Sequence, residues 1–408
     1  TKNISKEEVS KNAQLLIKAG FAYKEMAGVY SYLPLGLRVM DKIKQIIREE
    51  LNKAGCQEMV MTTLQSKEVW EPTNRWSDEV VDNWFRTQLK NGTELGLAFT
   101  HEEPIARIMS SFVSSYRDLP FSAYQFQTKF RNELRAKSGI MRGREFMMKD
   151  LYSFSKNEEE HNTFYESMKT VYKNIFDRLG IGEQTYLTMS SGEPFSKYSF
   201  EFQTLTDAGE DVIMYDESKK IAINKEDYSE EIFADFGFKK DEFNFKEATA
   251  SEVGDIYSLG TKYAEAQGLK YTDAEGKEQI VFMGSYGIGI SRVMGTIVEV
   301  LADEGGLIWP MSIAPYQVHL LQLGNDDAVM KKADELYKTL TDQGIEVLYD
   351  DRDASIGAQL GDADMIGLPI RLVISKKTGD KVEWKLRTSS DSELIESSEI
   401  VSRIKDLT

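Results

Sequence analysis

Gln127-Thr128-Lys129-Phe130-Arg131-Asn132-Glu133 and, past a short loop, Arg142-Gly143-Arg144-Glu145-Phe146-Met147-Met148-Lys149-Asp150 decide how this chain folds. Residues 123–133 and 145–154 both have strand propensity, and residues 134–144 between them form a Gly- and Arg-bearing loop. Strand, loop, strand predicts an antiparallel hairpin, not a βαβ crossover. On a strand, Arg131 and Glu133 point to one face. A guanidinium there can grip a phosphate and a carboxylate bidentately. A carboxylate two residues on can accept from a base amino group, and Phe146 on the return strand can stack on an adenine. The same residues also read as an Arg–Glu pair on the surface of a hairpin.

Upstream, residues 6–19 predict a short helix ending at Gly20, and 27–36 a loop with β character. Leu37, Met40, Ile43, Ile46, Ile47 and Leu51 recur with helical period, so 37–53 is a helix stopped by Gly55. It feeds a strand over 58–64. A further strand at 95–99 ends at Thr100-His101-Glu102-Glu103-Pro104, and a helix follows to about 115. Thr100 and Glu102 share a face, where a hydroxyl and a carboxylate can hold a substrate ammonium. Ordinary strand-end capping is the alternative.

Downstream, 157–180 is an amphipathic helix, with strands near 200–206 and 211–215. Residues 225–247 have no clean period and read as a linker or short insertion. Strands resume near 251–258 and 279–284. Gly287-x-Gly289-x-x-Arg292 then opens a helix to about 302. Two glycines and an arginine at a helix entry suit a polyphosphate. No Walker A Lys follows, and Arg292 stands where a Rossmann fingerprint needs its third glycine. A tight helix-entry turn with a surface arginine is the other reading. Beyond Pro310 and Pro315, strands and helices alternate, which marks a separate α/β domain of about 95 residues.

Composition narrows the function classes. The chain has 408 residues, so two or three domains are expected. It is 41% apolar, which excludes disorder. Its formal charge of −17 excludes a general nucleic-acid coat but leaves room for a local basic patch. Cys56 is the single cysteine, so neither an internal disulfide nor a Cys-based zinc site is possible. Three histidines argue against a multi-His metal centre. Thr1–Lys6 has no apolar core of a signal peptide, and no run of about 18 apolar residues spans a membrane. A soluble, cytoplasmic protein in a reducing compartment is expected. No Ser-His-Asp or Cys-His set sits near a recognisable elbow. Positioning and charge neutralisation, not covalent catalysis, are therefore expected.

Phe130-Arg131-x-Glu133 with Arg142-x-x-x-Phe146 resembles motif 2 of the class II aminoacyl-tRNA synthetases, and Gly287-x-Gly289-x-x-Arg292 their motif 3. Residues 36–64 sit where motif 1 would be. Ser31–Gly36, Thr100-His101-Glu102-Glu103, Met141–Asp150, Glu252-Val253-Gly254-Asp255-Ile256-Tyr257, Leu259–Tyr263 and Met283–Gly289 narrow the resemblance to bacterial-type prolyl-tRNA synthetases. Asp350-Asp351-Arg352 resembles their anticodon-binding domain. The resemblance implies an α+β catalytic domain over 1–312, an antiparallel sheet flanked by helices, and an α/β anticodon-binding domain over 313–408. Many bacterial members carry a large editing domain between motifs 2 and 3; here only 225–247 stands there, too short for an independent core.

The resemblance further implies proline–tRNA ligase activity, with ATP and Mg²⁺ as cofactors and L-proline and tRNA(Pro) as substrates. Arg131 and Arg292 would be catalytic. Thr100, Glu102, Arg131, Tyr257 and Ser285 would bind proline. ATP would lie on Arg131, Glu133, Arg142, Phe146, Glu252, Asp255, Gly287, Gly289 and Arg292, with Glu252 a metal ligand. Arg135, Lys137, Lys385 and Arg387 would contact tRNA, the last two within a patch that includes Arg371, Lys376, Lys377 and Lys381. A homodimer is also implied, and the missing editing domain leaves two alternatives, a separate factor that edits in trans or tolerance of error. The chain departs from the family pattern at Asp255 and Phe200, where histidines are usual, at Thr62 and Thr63, where motif 1 usually ends in proline, and at Asp353–Gly357. Rival readings are a threonine enzyme, which the missing Cys/His zinc pocket opposes, an inactive paralogue, which Arg131, Glu133 and Arg292 oppose, and a carrier-protein ligase, which residues 313–408 oppose.

Overall fold

The computed structural model describes residues 8–134, 136, 138–192 and 197–407. The chain divides into two compact units. One takes in Glu25–Tyr30 and Lys44–Thr296; the other takes in the chain up to Lys24, Ser31–Ile43 and the chain from Ile297 onward.

The first unit is built on a nine-stranded sheet. Its strands are β1 (Gln57–Glu58), β2 (Phe121–Phe130), β3 (Glu145–Ser155), β4 (Thr185–Ser191), β5 (Tyr198–Leu205), β6 (Asp211–Asp216), β7 (Ile221–Asn224), β8 (Lys246–Gly260) and β9 (Phe282–Gly289). Their order is β5-β4-β7-β6-β8-β9-β3-β2-β1, and β5 also pairs with β8. Only β4/β7 and β1/β2 run parallel. The expected hairpin is β2/β3, in unbroken antiparallel register from Phe121 opposite Phe154 to Phe130 opposite Glu145.

One face of the sheet is covered by the helix Glu158–Arg178, whose His161, Met168, Tyr172, Ile175 and Phe176 are buried. Their spacings of seven, four, three and one residues keep them on one stripe of an amphipathic helix. Burying each of the large side chains contributes about 1.5–3 kcal/mol. The same face holds a buried cation. Lys149 Nζ donates to the Tyr172 hydroxyl at 2.6 Å and to the Tyr286 carbonyl at 2.9 Å. Burial brings its pKa down from 10.5 to about 7. Below about pH 7 the lysine is charged in both states and the fold bears the full desolvation cost; the cost fades as pH rises toward the unfolded value. The stability of the wild type relative to Lys149→Met should therefore rise between about pH 7 and about pH 10, and stay level at lower pH. Urea titrations across that range check it; a difference that does not grow with pH would sink it.

Three sequence expectations change. The strand expected over 58–64 is reduced to Gln57–Glu58, with Leu64–Ser66 pairing into a separate three-stranded sheet. Side chains of β2 take the place of ladder bonds there: Gln125 Oε1 accepts from Met61 N–H, and Gln127 Nε2 donates to the Met61 carbonyl. Residues 284–289, expected in a helix-entry turn, belong to β9. Residues 225–247 are more than a linker. They carry the helix Glu230–Asp235 with Ile232 and Phe233 buried, and Phe233, Phe243 and Phe245 lie within 6 Å of one another.

The second unit holds the expected α/β region. Its sheet is β10 (Val318–Leu323), β11 (Val347–Asp350), β12 (Ile370–Ser375), β13 (Val382–Leu386) and β14 (Glu393–Ile395), in the order β11-β10-β12-β13-β14. β10 runs parallel to both neighbours; β13 and β14 are antiparallel additions. Early and late parts of the chain meet inside this unit. Asn12 bonds Glu299 through its backbone N–H at 2.8 Å and its side chain at 2.7 Å. Phe21 stacks on Trp309 at 5.2 Å, and Arg38 and Lys42 both pair with Glu346.

Candidate active site

The functional side chains lie on the other face of the nine-stranded sheet, in the first unit. Period-two alternation puts Arg131's neighbours, Phe146, Ser285, Asp255 and Tyr257 on that face. A cavity of about 270 Å³ is lined by Arg131, Glu133, Arg142, Phe146, Glu252, Asp255, Gly289 and Arg292. All the ATP-site residues expected from sequence except Gly287 therefore border one space.

Within it, charge is arranged around two guanidiniums. Arg131 follows the end of β2, and its guanidinium carbon lies 5.1 Å from the Phe99 ring centre and 5.3 Å from that of Phe146. The two rings fix its plane. Its Nε is buried and has no hydrogen-bond partner among the described residues. Burial and the like charge of Arg292 both lower its pKa. Arg292 donates to Glu252 Oε2 at 3.1 Å and to the Glu252 and Met141 carbonyls at 3.0 Å each. Two guanidiniums that oppose each other's charge at one cavity are set to receive an anion. The Arg–Glu surface pair of the bland reading exists, but between other partners: Arg142 pairs with Glu133 at 3.1 Å and Glu210 at 2.7 Å.

Gly287 lies in β9 and works through what it lacks. A Cβ there would sit 2.6 Å from Met148 Cε and 2.7 Å from Asp255 Oδ1. Its N–H donates to Asp255 Oδ1 at 2.9 Å. Burial first, and then Glu252, raise Asp255 to about 7.

A second polar cluster begins at Thr100, next to the Phe99 ring that packs on Arg131. Thr100 Oγ1 donates to both oxygens of Glu102, at 2.8 and 2.7 Å. Ser285 Oγ reaches Glu102 Oε1 at 3.5 Å, and Tyr257 faces Ser285 across the β8/β9 ladder. Glu102 opens the helix Glu102–Met109 and is buried, as is its neighbour Glu103. Behind them Lys129 Nζ bridges Asp150 Oδ1 at 2.8 Å and His101 Nδ1 at 2.6 Å. Burial lowers His101 to about 4, so it is neutral and accepts from Lys129. A buried carboxylate flanked by hydroxyls is suited to a substrate ammonium. The structure thus brings together Thr100, Glu102 and Ser285, with Tyr257 beside them.

The sequence reading missed Arg75, which reaches both Glu102 and Glu103. A signal existed: three of the five tryptophans, Trp70, Trp76 and Trp84, fall within 15 residues around it. They form a buried cluster of their own. It also missed Glu201, which burial and Glu252 raise to about 8. Of the expected tRNA residues, Arg135 and Lys137 lie outside the described residues. Lys385, in the second unit, is on β13 opposite Arg371. Arg387 is only 10% exposed and pairs with Asp303 at 2.5 Å. Among the described residues no helix is long and apolar enough to cross a membrane, and no group of three His, Cys, Asp or Glu residues could hold a metal ion.

Comparisons with known proteins fit this geometry. Residues 85–301 match the family model described as tRNA synthetase class II core domain (G, H, P, S and T), and 317–407 that of an anticodon binding domain. The chain is 35% identical over 418 residues to the proline–tRNA ligase of Anaplasma phagocytophilum, covering 99% of this chain and 97% of that protein. It is 36% identical to that of Agrobacterium fabrum, covering 94% and 92%. Proline–tRNA ligase 1 of Bacillus cereus is 29% identical over 546 positions, covering 97% and 96%; over a hundred of those positions have no counterpart here. The fold is similar to that of a crystal structure of prolyl-tRNA synthetase from Cryptosporidium parvum complexed with halofuginone and AMPPNP. The TM-score is 0.80 at 16% identity, covering 97% of this chain and 76% of that one.

Proposed function

Given that this chain belongs to the prolyl-tRNA synthetases, class II enzymes that ligate proline to tRNA with ATP, we propose how its residues divide that work. One observation carries the reading: Phe99, the residue before Thr100, packs on the Arg131 guanidinium, which sets the Thr100–Glu102–Ser285 cluster beside the Arg131–Arg292 cavity. An amino acid held by its ammonium on Glu102 then presents its carboxylate toward Arg131.

The proline carboxylate oxygen attacks the α-phosphorus of ATP, and the bond to pyrophosphate breaks. Arg131 bridges the carboxylate and the α-phosphate and stabilises the charge that builds on the phosphorus oxygens. Arg292 and Arg142 hold the β- and γ-phosphates. Phe146 stacks on adenine, with Arg292 on its other side, and Glu133 accepts from the adenine amino group. Gly287 and Gly289 keep the floor open, and Asp255 borders the nucleotide. The 3′-terminal ribose hydroxyl of the tRNA then attacks the prolyl carbonyl, and AMP leaves. Thr100, Glu102, Tyr257 and Ser285 hold the proline.

Mg²⁺ is typically bound by one or two carboxylates plus substrate phosphates, not by an all-protein cage. Glu252, at the cavity wall, fits that mode and would hold the ion with ATP's phosphates; the ion would add charge neutralisation. Residues 1–312 act as the catalytic domain and 313–408 as the anticodon-binding domain, with Arg135, Lys137 and Lys385 as the tRNA contacts; Arg387, nearly buried against Asp303, is taken up within its own unit. A homodimer is supported by the sheet ending in β1, close to Val60 and Leu64, which are 77% and 53% exposed. The short 225–247 segment leaves no room for an editing domain in cis, and excluding the smaller alanine is worth only about 1–3 kcal/mol. A factor acting in trans, in the cytoplasm, would clear alanyl-tRNA.

ATP–pyrophosphate exchange with a panel of amino acids and no tRNA tests the reading. Exchange driven by proline, with a weaker alanine signal, is expected. No exchange with any amino acid would move the weight to an inactive paralogue.

A further inference from the structure

Glu102 and Glu103 are adjacent in sequence, and both are buried, at 3% and 0% exposed. Two carboxylates this close oppose each other's ionisation. Arg75, 6% exposed, stands against both. Its Nη1 lies 3.3 Å from Glu102 Oε2 and 3.0 Å from each oxygen of Glu103. Thr73 Oγ1 donates to Glu103 Oε1 at 2.8 Å.

The guanidinium is itself held in place. It lies 5.3 Å from the Trp70 ring centre and 5.5 Å from that of Tyr263. The Arg75 carbonyl accepts from Trp84 Nε1 at 2.9 Å. The three-stranded sheet and its tryptophans thus deliver one rigid cation to one pair of acids. Glu103 takes the closer contacts, while Glu102 gives Arg75 only Oε2. Burial raises Glu103 to about 7 while Arg75 favours its charged form; with both acids ionised, two carboxylates and one guanidinium leave a single negative charge, the complement of one substrate ammonium.

We propose that Arg75 is a positioning residue for amino-acid recognition: it takes up Glu103 with its closer contacts and fixes Glu102 by one oxygen, so that Glu102 is held oriented toward the substrate ammonium. This rests on the reading that Glu102 binds the amino acid. A buried charge-assisted contact of this kind, when lost, changes affinity by about 10- to 100-fold.

ATP–pyrophosphate exchange by wild type, Arg75→Lys, Arg75→Met, Glu103→Gln and the Arg75→Met/Glu103→Gln double variant tests it. Wild-type exchange with proline comes first; its absence would overturn the amino-acid reading itself, and this proposal with it. With exchange in hand, Arg75→Met should raise the proline KM about 10- to 100-fold and leave the ATP KM within about twofold. Arg75→Lys should recover part of the loss. If the lone Met variant does not fold, the double variant supplies the answer, because it removes the cation together with the acid it neutralises. The double variant should melt near wild type yet keep a raised proline KM. A wild-type proline KM in the double variant would overturn the proposal, since Arg75 would then serve Glu103 alone. Equal rises in both KM values, or a loss confined to kcat, would overturn it too.

Discussion

Arg131→Gln should abolish proline-dependent ATP–pyrophosphate exchange, lowering kcat/KM by about a thousandfold or more. In the proposed site Arg131 is the cation that bridges both reacting groups. Its plane is set by Phe99 and Phe146 before any substrate arrives. Its buried Nε finds no hydrogen-bond partner among the described residues, which suits it to meet an incoming acceptor. Glutamine keeps a polar amide near the position of Nε but loses the charge, the reach and the forked donors. Arg131→Lys keeps the charge without the fork and should fall in between. Misfolding gives the opposite stability signature. Because burial and Arg292 act against the charge of Arg131, its removal should leave the melting temperature unchanged or slightly higher. Exchange kinetics with thermal melts check both parts. Retention of more than about a tenth of wild-type exchange would remove Arg131 from the reacting centre.

Glu102→Gln should have the second-largest effect, with kcat/KM for proline down about 100- to 1,000-fold. The carboxylate is buried, so the ammonium it meets is screened little by water. Glutamine preserves size and can still accept from Thr100, but the pocket floor loses its net negative charge. Arg75 and Glu103 would then balance each other. The loss should sit in the proline KM, with the ATP KM nearly unmoved, because the nucleotide cavity is lined by other residues. Relief of the Glu102–Glu103 repulsion predicts a fold at least as stable as wild type. A shared rise in both KM values would show that Glu102 organises the whole cavity instead.

Long-period features were legible in the sequence. The β2/β3 hairpin, the helix Glu158–Arg178 and the alternating strands and helices after Pro315 follow from repeating side-chain patterns. The stretch 58–64 misled because its backbone partners are the side chains of Gln125 and Gln127, and no local pattern encodes a side chain 64 or 66 residues away. Gly287 looked like a turn because glycine permits one; its actual use is to leave room for Asp255 and Met148. The aromatic core of 225–247 was hidden because a cluster made by one short helix and its flanks has no period to detect. The candidate site shows the same division. Arg131, Glu102 and Arg292 stood in recognisable spacings. Arg75 is joined to Glu102 only through tertiary folding, 27 residues apart in sequence.

The meeting of early and late chain in the second unit bears on synthesis. Residues Lys44–Thr296 are one continuous stretch and carry the bulk of the other unit. They can fold as they leave the ribosome. Asn12 and Phe21 have no such option: the partner of Asn12, Glu299, is 287 residues further on. At about 5–20 residues per second, that is roughly 15–60 s of translation. For that interval the apolar faces of Phe21 and the helix Lys11–Lys18 are without the surface that finally covers them. Residues 11–21 are locked in place only after Glu299 and Trp309 have been made, and a nascent chain halted before Trp309 would hold a formed Arg131–Arg292 cavity but an unfinished second unit.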